Sequence, residues 1–347
     1  MHIGAKVRGL AAAFLLVSGM AVAQDAHFSQ QYVSKVRLNP AFTGLTAEAA
    51  ANLSYRNQWP TLSGSFISNH LSGEMRIKKS KSAVGFVLLH DKAGSSALTT
   101  FELSGLYSYH TKISKNLAVS AGLQAGYGSR KVDFASFTFG DQLTDDGQQS
   151  QVSQETIVYD PVRYMSIGAG GILYSDQFWI SIGTFHLNQP DLGFAQNSVL
   201  PIKSVINAGY KFYAYTYTSQ NKFYELSFTP TATATFQGPF SKLDLGLYTL
   251  YTPVTVGILY RGLMPNELFR GNKDLPVSRE NSIVFIGGVQ LNQVKFSYSY
   301  DLGLSGISAV SGGAHEISLA FEKIDFTKIF RARALNKKYL QIACPAF

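Results

Sequence analysis

Residues 97–132 read ALTTFELSGLYSYHTKISKNLAVSAGLQAGYGSRKV, and this stretch decides the fold. On both sides of the SKN tripeptide at 114–116, large apolar residues alternate with small or polar ones. A period of two places each set on one face of a β-strand. Runs 97–112 and 117–132 exceed the usual length of globular strands and match tilted strands that cross a bilayer. The stretch therefore predicts two long antiparallel strands joined by a tight turn.

The same alternation recurs along the chain and predicts fourteen strands. They are 51–58, 65–77, 82–90, 97–112, 117–132, 165–174, 178–186, 203–218, 223–236, 241–251, 254–262, 281–291, 293–301 and 314–323. Tight connections at 78–81, 114–116, 175–177, 219–221, 252–253 and 292 alternate with connections that are often long, at 133–164, 187–202, 263–280 and 302–313. Short turns at one end and long loops at the other are typical of outer-membrane β-barrels.

The sequence thus predicts an all-β fold, a closed antiparallel transmembrane β-barrel of about 14 strands with short periplasmic turns and long extracellular loops. An open sheet edge cannot persist in lipid, so the first strand must pair with the last, near 314–323. There Ile317 and Phe321 would face lipid, and Glu316 would face inward. An even strand number places both termini on the periplasmic side. A soluble sandwich has the same alternation, and strand length favours the barrel.

The residues outside the predicted barrel, 51–323, fall into three segments. Residues 1–23 have the basic start, apolar stretch and small-residue cleavage site of a signal peptide. Residues 24–50 are too polar for lipid and are expected beneath or inside the barrel, since fourteen strands leave room for a plug. Residues 324–347 form a basic periplasmic tail, either solvated or a docking helix. Removal of the signal peptide takes away two basic residues, so the formal charge of +8 becomes +6.

Composition and motifs argue against several classes of function. With one cysteine, Cys344, the chain cannot form an internal disulfide or a cysteine-ligated metal site. The sequence has no Gly-x-Ser-x-Gly elbow, no His-Glu-x-x-His and no phosphate-binding loop, so we predict no enzyme, catalytic residue, metal or cofactor. Its basic residues form no stripe interleaved with stacking aromatics, which argues against nucleic acid as a partner.

The densest polar and aromatic cluster is YRNQWP at 55–60. Arg56 and Gln58 project to one face, where Arg56 could bind a carboxylate of a plug or client in a bidentate manner. Alternatively, Arg56 pairs with an acidic residue of the lumen wall and Trp59 is an interfacial anchor. Asp301 and Glu316 are predicted to lie in the lumen, because charges on the lipid face are costly.

Several runs together resemble the PorP/SprF family of Bacteroidetes outer-membrane proteins. In order they are FSQQY at 28–32, LNPAFTG at 38–44, YRNQWP at 55–60, DKAG at 91–94, FGDQ at 139–142, HLNQP at 186–190, YRG at 260–262, YSYD at 298–301 and GAHEI at 313–317. The resemblance covers about 28–321. The candidate lumen or partner-contact residues are Arg56, Asn57, Gln58, Trp59, Asp91, Asp141, Asn188, Arg261, Asp301, His315 and Glu316.

The resemblance implies a role in type IX protein secretion. Family members work in the outer membrane, in contact with its lipids, with a periplasmic ring lipoprotein of the PorK/PorN kind or a peptidoglycan-binding lipoprotein. Others export or attach one large secreted adhesin-like client at the cell surface, sometimes in gliding motility. The long loops 133–164 and 263–280 are expected to hold the client, because binding specificity is usually carried by loops on a rigid scaffold. From the residues alone, a channel for small or hydrophobic solutes remains the alternative.

Overall fold

The computed structural model describes residues 25–62, 64–77, 80–94, 98–133, 160–194, 197–219, 222–262, 281–304 and 311–323. Two short 3-10 turns, Lys35–Arg37 and Pro40–Phe42, precede one large antiparallel sheet. The strand segments are β1 (Ala49–Gln58), β2 (Phe66–Arg76), β3 (Ser82–Ala93), β4 (Leu98–Lys112), β5 (Ala118–Lys131), β6 (Val162–Tyr174), β7 (Phe178–Phe185), β8 (Lys203–Tyr210), β9 (Phe212–Ser219), β10 (Lys222–Gln237), β11 (Phe240–Tyr251), β12 (Val254–Gly262), β13 (Ser282–Leu291), β14 (Val294–Gly303) and β15 (Ala314–Lys323).

The sheet closes on itself. β1 pairs with β15 from Ala49↔Lys323 to Gln58↔Ala314, in addition to its pairing with β2. β8 and β9 both pair with β10 and lie end to end, so together they form one strand position. Fourteen strands therefore surround the lumen, and the prediction of a closed antiparallel barrel of that size is confirmed.

Side chains alternate between the outer surface and the lumen, as the sequence pattern predicts. Leu123 on β5 is 60% exposed and faces outward, whereas its neighbours Ser108 and Ser120 on the lumen face are fully buried. On β15, Ile317, Leu319 and Phe321 face outward, and Glu316, Ser318 and Ala320 face inward. A continuous outer belt of exposed apolar and aromatic side chains is stable against hydrocarbon and not against water.

The two ends of the barrel differ in their connections. At one end, called the short-turn end, the strands are joined at 77–81, 113–117, 175–177, 220–221, 252–253 and 292–293. At the other end, called the long-loop end, they are joined at 59–65, 94–97, 132–161, 186–202, 238–239, 263–281 and 304–313. Loop residues 134–159, 263–280 and 305–310 lie outside the described part of the chain. β1 begins and β15 ends at the short-turn end.

The strand boundaries differ from the predicted ones at the rims of the barrel. β3 continues to Ala93 and β6 begins at Val162, because strand pairing continues through polar residues above the apolar belt. The predicted run 203–218 is interrupted at Lys211. Opposite this break, between the partners of Gly209 and Phe212, lies Pro230, which has no N–H to donate to the ladder.

Candidate functional site

The lumen contains the chain's own residues 25–48, called here the lumen segment. Its atoms contact inward-facing groups on strands all around the wall. These groups belong to Arg56, His70, Glu74, Arg76, Ser108, His110, Ser120, Gly171, Ile182, Lys203, Thr233, Gln237, Asp244, Arg261, Ser297, Ser299, Asp301 and Glu316. A polar peptide in a polar lumen satisfies its backbone groups in this way, because buried donors and acceptors need partners.

The lumen segment runs from one end of the barrel to the other. Asp25 contacts His186 and Lys203, which flank the connection between β7 and β8 at the long-loop end. Gly44 contacts Glu74 and Arg76, near the short-turn end of β2. We expected the N-terminal side of the chain at the periplasmic, short-turn end. Asp25 lies instead at the long-loop end, whereas β1 starts at the short-turn end.

A buried charge cluster anchors the first part of the segment. Arg56 Nη2 and Arg261 Nη1 each lie 2.8 Å from Asp301 Oδ2, and Arg56 Nη1 lies 3.5 Å from Glu316 Oε2. Ser29 joins the cluster, because its Oγ lies 2.7–2.8 Å from both carboxylate oxygens of Asp301. The Ser29 N–H also donates to Glu316 Oε2 at 2.6 Å. Wall and segment thus share the same two carboxylates.

The two glutamines that follow extend these contacts. Gln30 donates from its backbone N–H to Glu316 Oε1 and from Nε2 to the Glu316 carbonyl, at 3.1 and 2.9 Å. Gln31 Nε2 donates to Asp244, and Thr233 Oγ1 donates to Gln31 Oε1 at 2.8 Å. Each amide therefore uses both its donor and its acceptor, which fixes the orientation of the side chain.

Charged groups next to the cluster also involve the segment. His27 Nε2 lies 3.4 Å from Asp244 Oδ2, and Arg261 Nε lies 3.3 Å from Asp244 Oδ1. Burial lowers the pKa of His27, and the cations Lys242 and Arg261 lower it further, to well below its usual 6.5. Because of this depressed pKa, the imidazole is neutral at neutral pH.

A second ionic contact lies at the long-loop end. Asp25 Oδ2 lies 3.0 Å from both His186 Nε2 and Lys203 Nζ. Burial alone would raise the pKa of Asp25, but the positive charge of Lys203 and the contact with His186 outweigh it and hold the pKa well below its usual value. Asp25 is therefore a carboxylate throughout the physiological range, and it pins the start of the segment to β8.

Acidification should release the lumen segment. The depressed pKa of His27 means that the docked segment binds fewer protons than the released one, so docking loses free energy as pH falls below 6.5. The equilibrium constant for release should rise by up to about tenfold per pH unit for this one group. Protease cleavage of the segment in the folded protein, followed from about pH 7.5 to about pH 5.5, measures it. The His27→Gln variant should show a flatter profile, and equal profiles would contradict the assignment.

The middle of the segment is held by backbone contacts and by glycines of the wall. Asn39 accepts from the Ala41 N–H at 2.8 Å and donates through Nδ2 to the carbonyls of Gly171 and Ile182, both at 2.9 Å. A Cβ placed on Gly122 would overlap the backbone of Pro40 and Ala41. The wall therefore contacts the segment backbone directly, which a side chain at this position would prevent.

Apolar packing completes the seal near the short-turn end. Phe42 and Leu45 of the segment are 2% and 1% exposed. They form one cluster with Ala41 and with the wall residues Ala118, Ile172, Tyr174 and Trp179. Burial of an apolar side chain of this size stabilises a structure by roughly 1.5–3 kcal/mol. Near the short-turn end, the segment is therefore packed against the wall at β5, β6 and β7.

The structure distributes the predicted site residues over several places. Arg56, Arg261, Asp301 and Glu316 meet in the charge cluster, and Gln58 Oε1 lies 3.4 Å from Arg56 Nη2. Asp91 is separate and accepts a hydrogen bond from Ser68 at the long-loop end of the wall. Asp141 lies outside the described residues.

The other predicted residues lie away from the cluster. His315 faces outward and bonds through Nδ1 to Tyr298 Oη at 2.8 Å, on the face opposite Glu316. Asn57 also lies on the outward-facing set of β1. Trp59 follows β1 with a positive φ of 59° and packs edge-on against Phe66. Asn188 bonds to the backbone of β6, through Ile167 N–H and the Met165 carbonyl, and so fixes the start of its loop.

Sequence reasoning missed the partners that the lumen segment supplies. Ser29, Gln30 and Gln31 bind the wall carboxylates, and Asp244 is a further wall acid of the same network. The signal that could have identified them is the polar run FSQQY at 28–32, which precedes the first strand and carries hydroxyl and amide groups able to bind inward-facing acids. Beside the first part of the segment, a cavity of about 800 Å³ opens at the long-loop end. It is lined by Asp25 and Arg37 of the segment and by Trp59, Tyr164 and Lys242 among others.

Within the described part of the chain, no group of three or more metal-ligating side chains is arranged to hold a metal ion. No helix among those residues is long and apolar enough to cross a membrane. A closed barrel with an apolar outer belt and a polar, occupied lumen defines an integral membrane β-barrel protein.

The chain belongs to the family described as type IX secretion system membrane protein PorP/SprF, which it matches over residues 21–321. Closed barrel and family together indicate an outer-membrane protein that takes part in type IX secretion. No curated protein matches the chain.

Several solved barrels share a limited similarity with it. The CymD monoaromatic hydrocarbon channel has a TM-score of 0.45 and 14% identity, covering 87% of this chain and 93% of that one. The KdgM porin has a TM-score of 0.35 and 6% identity, and a mutant of the Rh. blastica porin has 0.33 and 10%. Each match covers 79% of this chain and 98% of the porin. TM-scores of this size support no conclusion about function.

Proposed function

We propose that this protein is a plugged, non-enzymatic scaffold of type IX secretion in the outer membrane. It supports export or surface attachment of a large adhesin-like client, docking of a periplasmic ring lipoprotein of the PorK/PorN kind or a peptidoglycan-binding lipoprotein, or both. In this proposal residues 1–23 are a cleaved signal peptide. The short-turn end faces the periplasm, together with the basic tail 324–347, and the long loops face outward.

The observation that supports this proposal is the lumen segment and its many bonds to the wall. A channel needs a continuous aqueous path. In this barrel the packing of Phe42 and Leu45, and the contact of Pro40 and Ala41 with Gly122, occupy the lumen near the short-turn end. Each hydrogen bond contributes on the order of 1 kcal/mol to stability, and removing one member of the buried charge cluster would cost about 3–5 kcal/mol. The segment therefore acts as a stable plug, and the barrel serves as a platform for other proteins.

The long-loop end is the proposed client side. The cavity there is lined by the candidate residues Gln58, Trp59, Asp91 and Asp301. It is also lined by Arg130 and Gly262, which lie close in sequence to the starts of the two long loops. Loops 133–164 and 263–280 are proposed to hold the client, on the general ground that loops carry specificity on rigid scaffolds.

A channel for small or hydrophobic solutes is the second candidate. The cavity of about 800 Å³ favours it, since a pocket of this volume holds a small ligand. The channel function would require the plug to leave or rearrange, because the lumen segment reaches from Asp25 to the start of β1.

Deletion of the gene should abolish surface display of one secreted client while uptake of small solutes stays unchanged. The reason is that a plugged barrel contributes protein contacts and not a solute path. Surface proteolysis with mass spectrometry measures the client, and influx of a small dye measures permeability. Complementation with the wild-type gene controls for loss of the barrel itself. Slower solute uptake with full client display would favour the channel instead.

A further inference from the structure

One hairpin projects beyond the rest of the barrel at the short-turn end. It consists of residues 212–225, the whole of β9 with the start of β10, and is called here the projecting hairpin. β7 pairs with β8 no further than Phe178↔Tyr210, so β9 pairs with β10 on one side only. Among the described residues, no strand pairs with the other edge of β9.

The neighbouring turn, residues 175–177, contacts the strand no further than Tyr213. The Lys211 N–H donates to the Gln177 carbonyl at 2.6 Å, and Tyr213 Oη donates to the Asp176 carbonyl at 3.3 Å. From Ala214 to Ser219 the edge is free. At about 3.4 Å per residue, this edge is roughly 20 Å long. It presents backbone N–H and C=O groups that another strand can pair with.

The alternation of buried and exposed side chains ends on this edge. On β8, which precedes Lys211, buried and exposed side chains alternate. On β9, Ala214, Tyr215, Thr216 and Tyr217 are all exposed. The base of the hairpin is closed by the buried pair of Lys211 and Glu225, whose charged atoms lie 2.7 Å apart. Beyond this pair, from Ala214 to Tyr217, side chains on both faces of β9 are exposed.

The surface beside the free edge is aromatic and uncharged. The Tyr217 ring stacks on Tyr224 with centroids 4.9 Å apart and planes 9° apart, and Tyr215 stacks on Tyr217 at 6.0 Å. Residues 212–221 contain no charged side chain, whereas the turns between β2 and β3 and between β4 and β5 carry the exposed lysines Lys81 and Lys115. Soluble edge strands are usually protected by lysine, proline or inward-pointing charge. The free edge has none of these.

We propose that residues 214–219 pair with an extended segment of a periplasmic component of the secretion apparatus, which adds one strand to the projecting hairpin. Backbone hydrogen bonds supply the main contacts in this mode of binding, and side-chain contacts supply specificity. The tyrosine stack accepts apolar or aromatic side chains, and the lack of charge selects an uncharged stretch of the partner over a charged one. The inference rests on the proposed function in one respect, that the short-turn end faces the periplasm.

Cysteine labelling tests the site in the full-length protein in its own cells. In a Cys344→Ser background, Thr216→Cys reports the free edge and Asn116→Cys, in the turn between β4 and β5, is the matched control. Both positions are exposed in the barrel alone. With a maleimide that crosses the outer membrane, Thr216→Cys should react about tenfold more slowly than Asn116→Cys if nine hairpins in ten are occupied. After purification the two should react at the same rate.

Hydrogen exchange separates strand addition from other kinds of contact. Amides in 214–219 should be protected at alternate positions in native membranes and should exchange freely in the purified protein, because an edge strand pairs through every second residue. Thr216→Lys should remove this protection, whereas Asn116→Lys should leave it unchanged. Equal exchange in both preparations would overturn the inference.

The same labels test the orientation independently. If a maleimide that cannot cross the membrane labels Asn116→Cys in intact cells, the short-turn end faces outward and the proposed function fails with it. If Asn116→Cys is protected from that reagent but Thr216→Cys reacts as fast as the control with the permeant one, the orientation stands and the docking inference is wrong.

Discussion

Replacing Asp301 with asparagine should free the first part of the lumen segment, residues 25–31, from the barrel wall. Asp301 is shared by Arg56, Arg261 and Ser29, all within 2.8 Å, and its loss leaves two buried guanidinium groups with fewer counter-charges. Removing one member of a buried ionic cluster costs about 3–5 kcal/mol. This cost falls on residues 25–31, which should leave the wall more often, while the Asp25–Lys203 pair and the packing of Phe42 and Leu45 still hold the rest of the segment.

Protease cleavage of the segment and planar-bilayer recordings measure the effect. Cleavage near residues 25–31 should be faster in the Asp301→Asn protein than in the wild type. Neither protein should show a steady conductance, because the packing of Phe42 and Leu45 near the short-turn end is unchanged. Asp160→Asn is the matched control, because Asp160 is an exposed aspartate outside the cluster. An Asp301→Asn protein whose segment is as protected as in the wild type would show that this carboxylate does not hold residues 25–31, and a steady conductance would show that the packing of Phe42 and Leu45 does not close the lumen.

Replacing Gly122 with valine should displace the middle of the segment. The new side chain would overlap the backbone of Pro40 and Ala41, and backbone cannot move aside as a flexible side chain can. Overpacking of this kind costs typically 1–3 kcal/mol and more where backbone must shift. We expect a lower melting temperature, and faster cleavage of the segment than in the wild-type protein.

Gly287→Val provides the control for this substitution. Gly287 also lies in a strand, β13, and a Cβ there has nothing within 4 Å. Because valine favours strands over glycine, this variant should be as stable as the wild type or slightly more so. If both variants behave alike, the close contact at Gly122 does not position the segment.

The strands of the barrel could be predicted from the sequence because each one faces two different environments. The exposed Leu103 and Tyr107 alternate with the buried Ser104 and Ser108 on β4. The period of two in the sequence is thus the period of burial in the folded barrel. Closure followed from the chemistry of lipid, since an unpaired edge is too costly there. Ends of strands were less predictable, because pairing continues past the apolar belt through Asp91 and Lys92.

The candidate site could be predicted only in part. Arg56, Asp301 and Glu316 are recognisable because charge on an inward-facing position of a barrel needs a partner. The course of the segment is not encoded in any periodicity, since residues 25–48 have no regular strands. The role of Gly122 was also hidden, because a small residue on a lumen face looks the same whether it faces water or a packed backbone.

The bond between Ser29 and Glu316 joins residues 287 positions apart, the second residue belonging to the last strand. A polypeptide is made and exported from its beginning, so the anchor for its first residues is the last part to arrive. A chain that stops before β15 lacks both the closing seam and the hold on its own start. Closure of the barrel and docking of the first residues of the segment therefore both require β15.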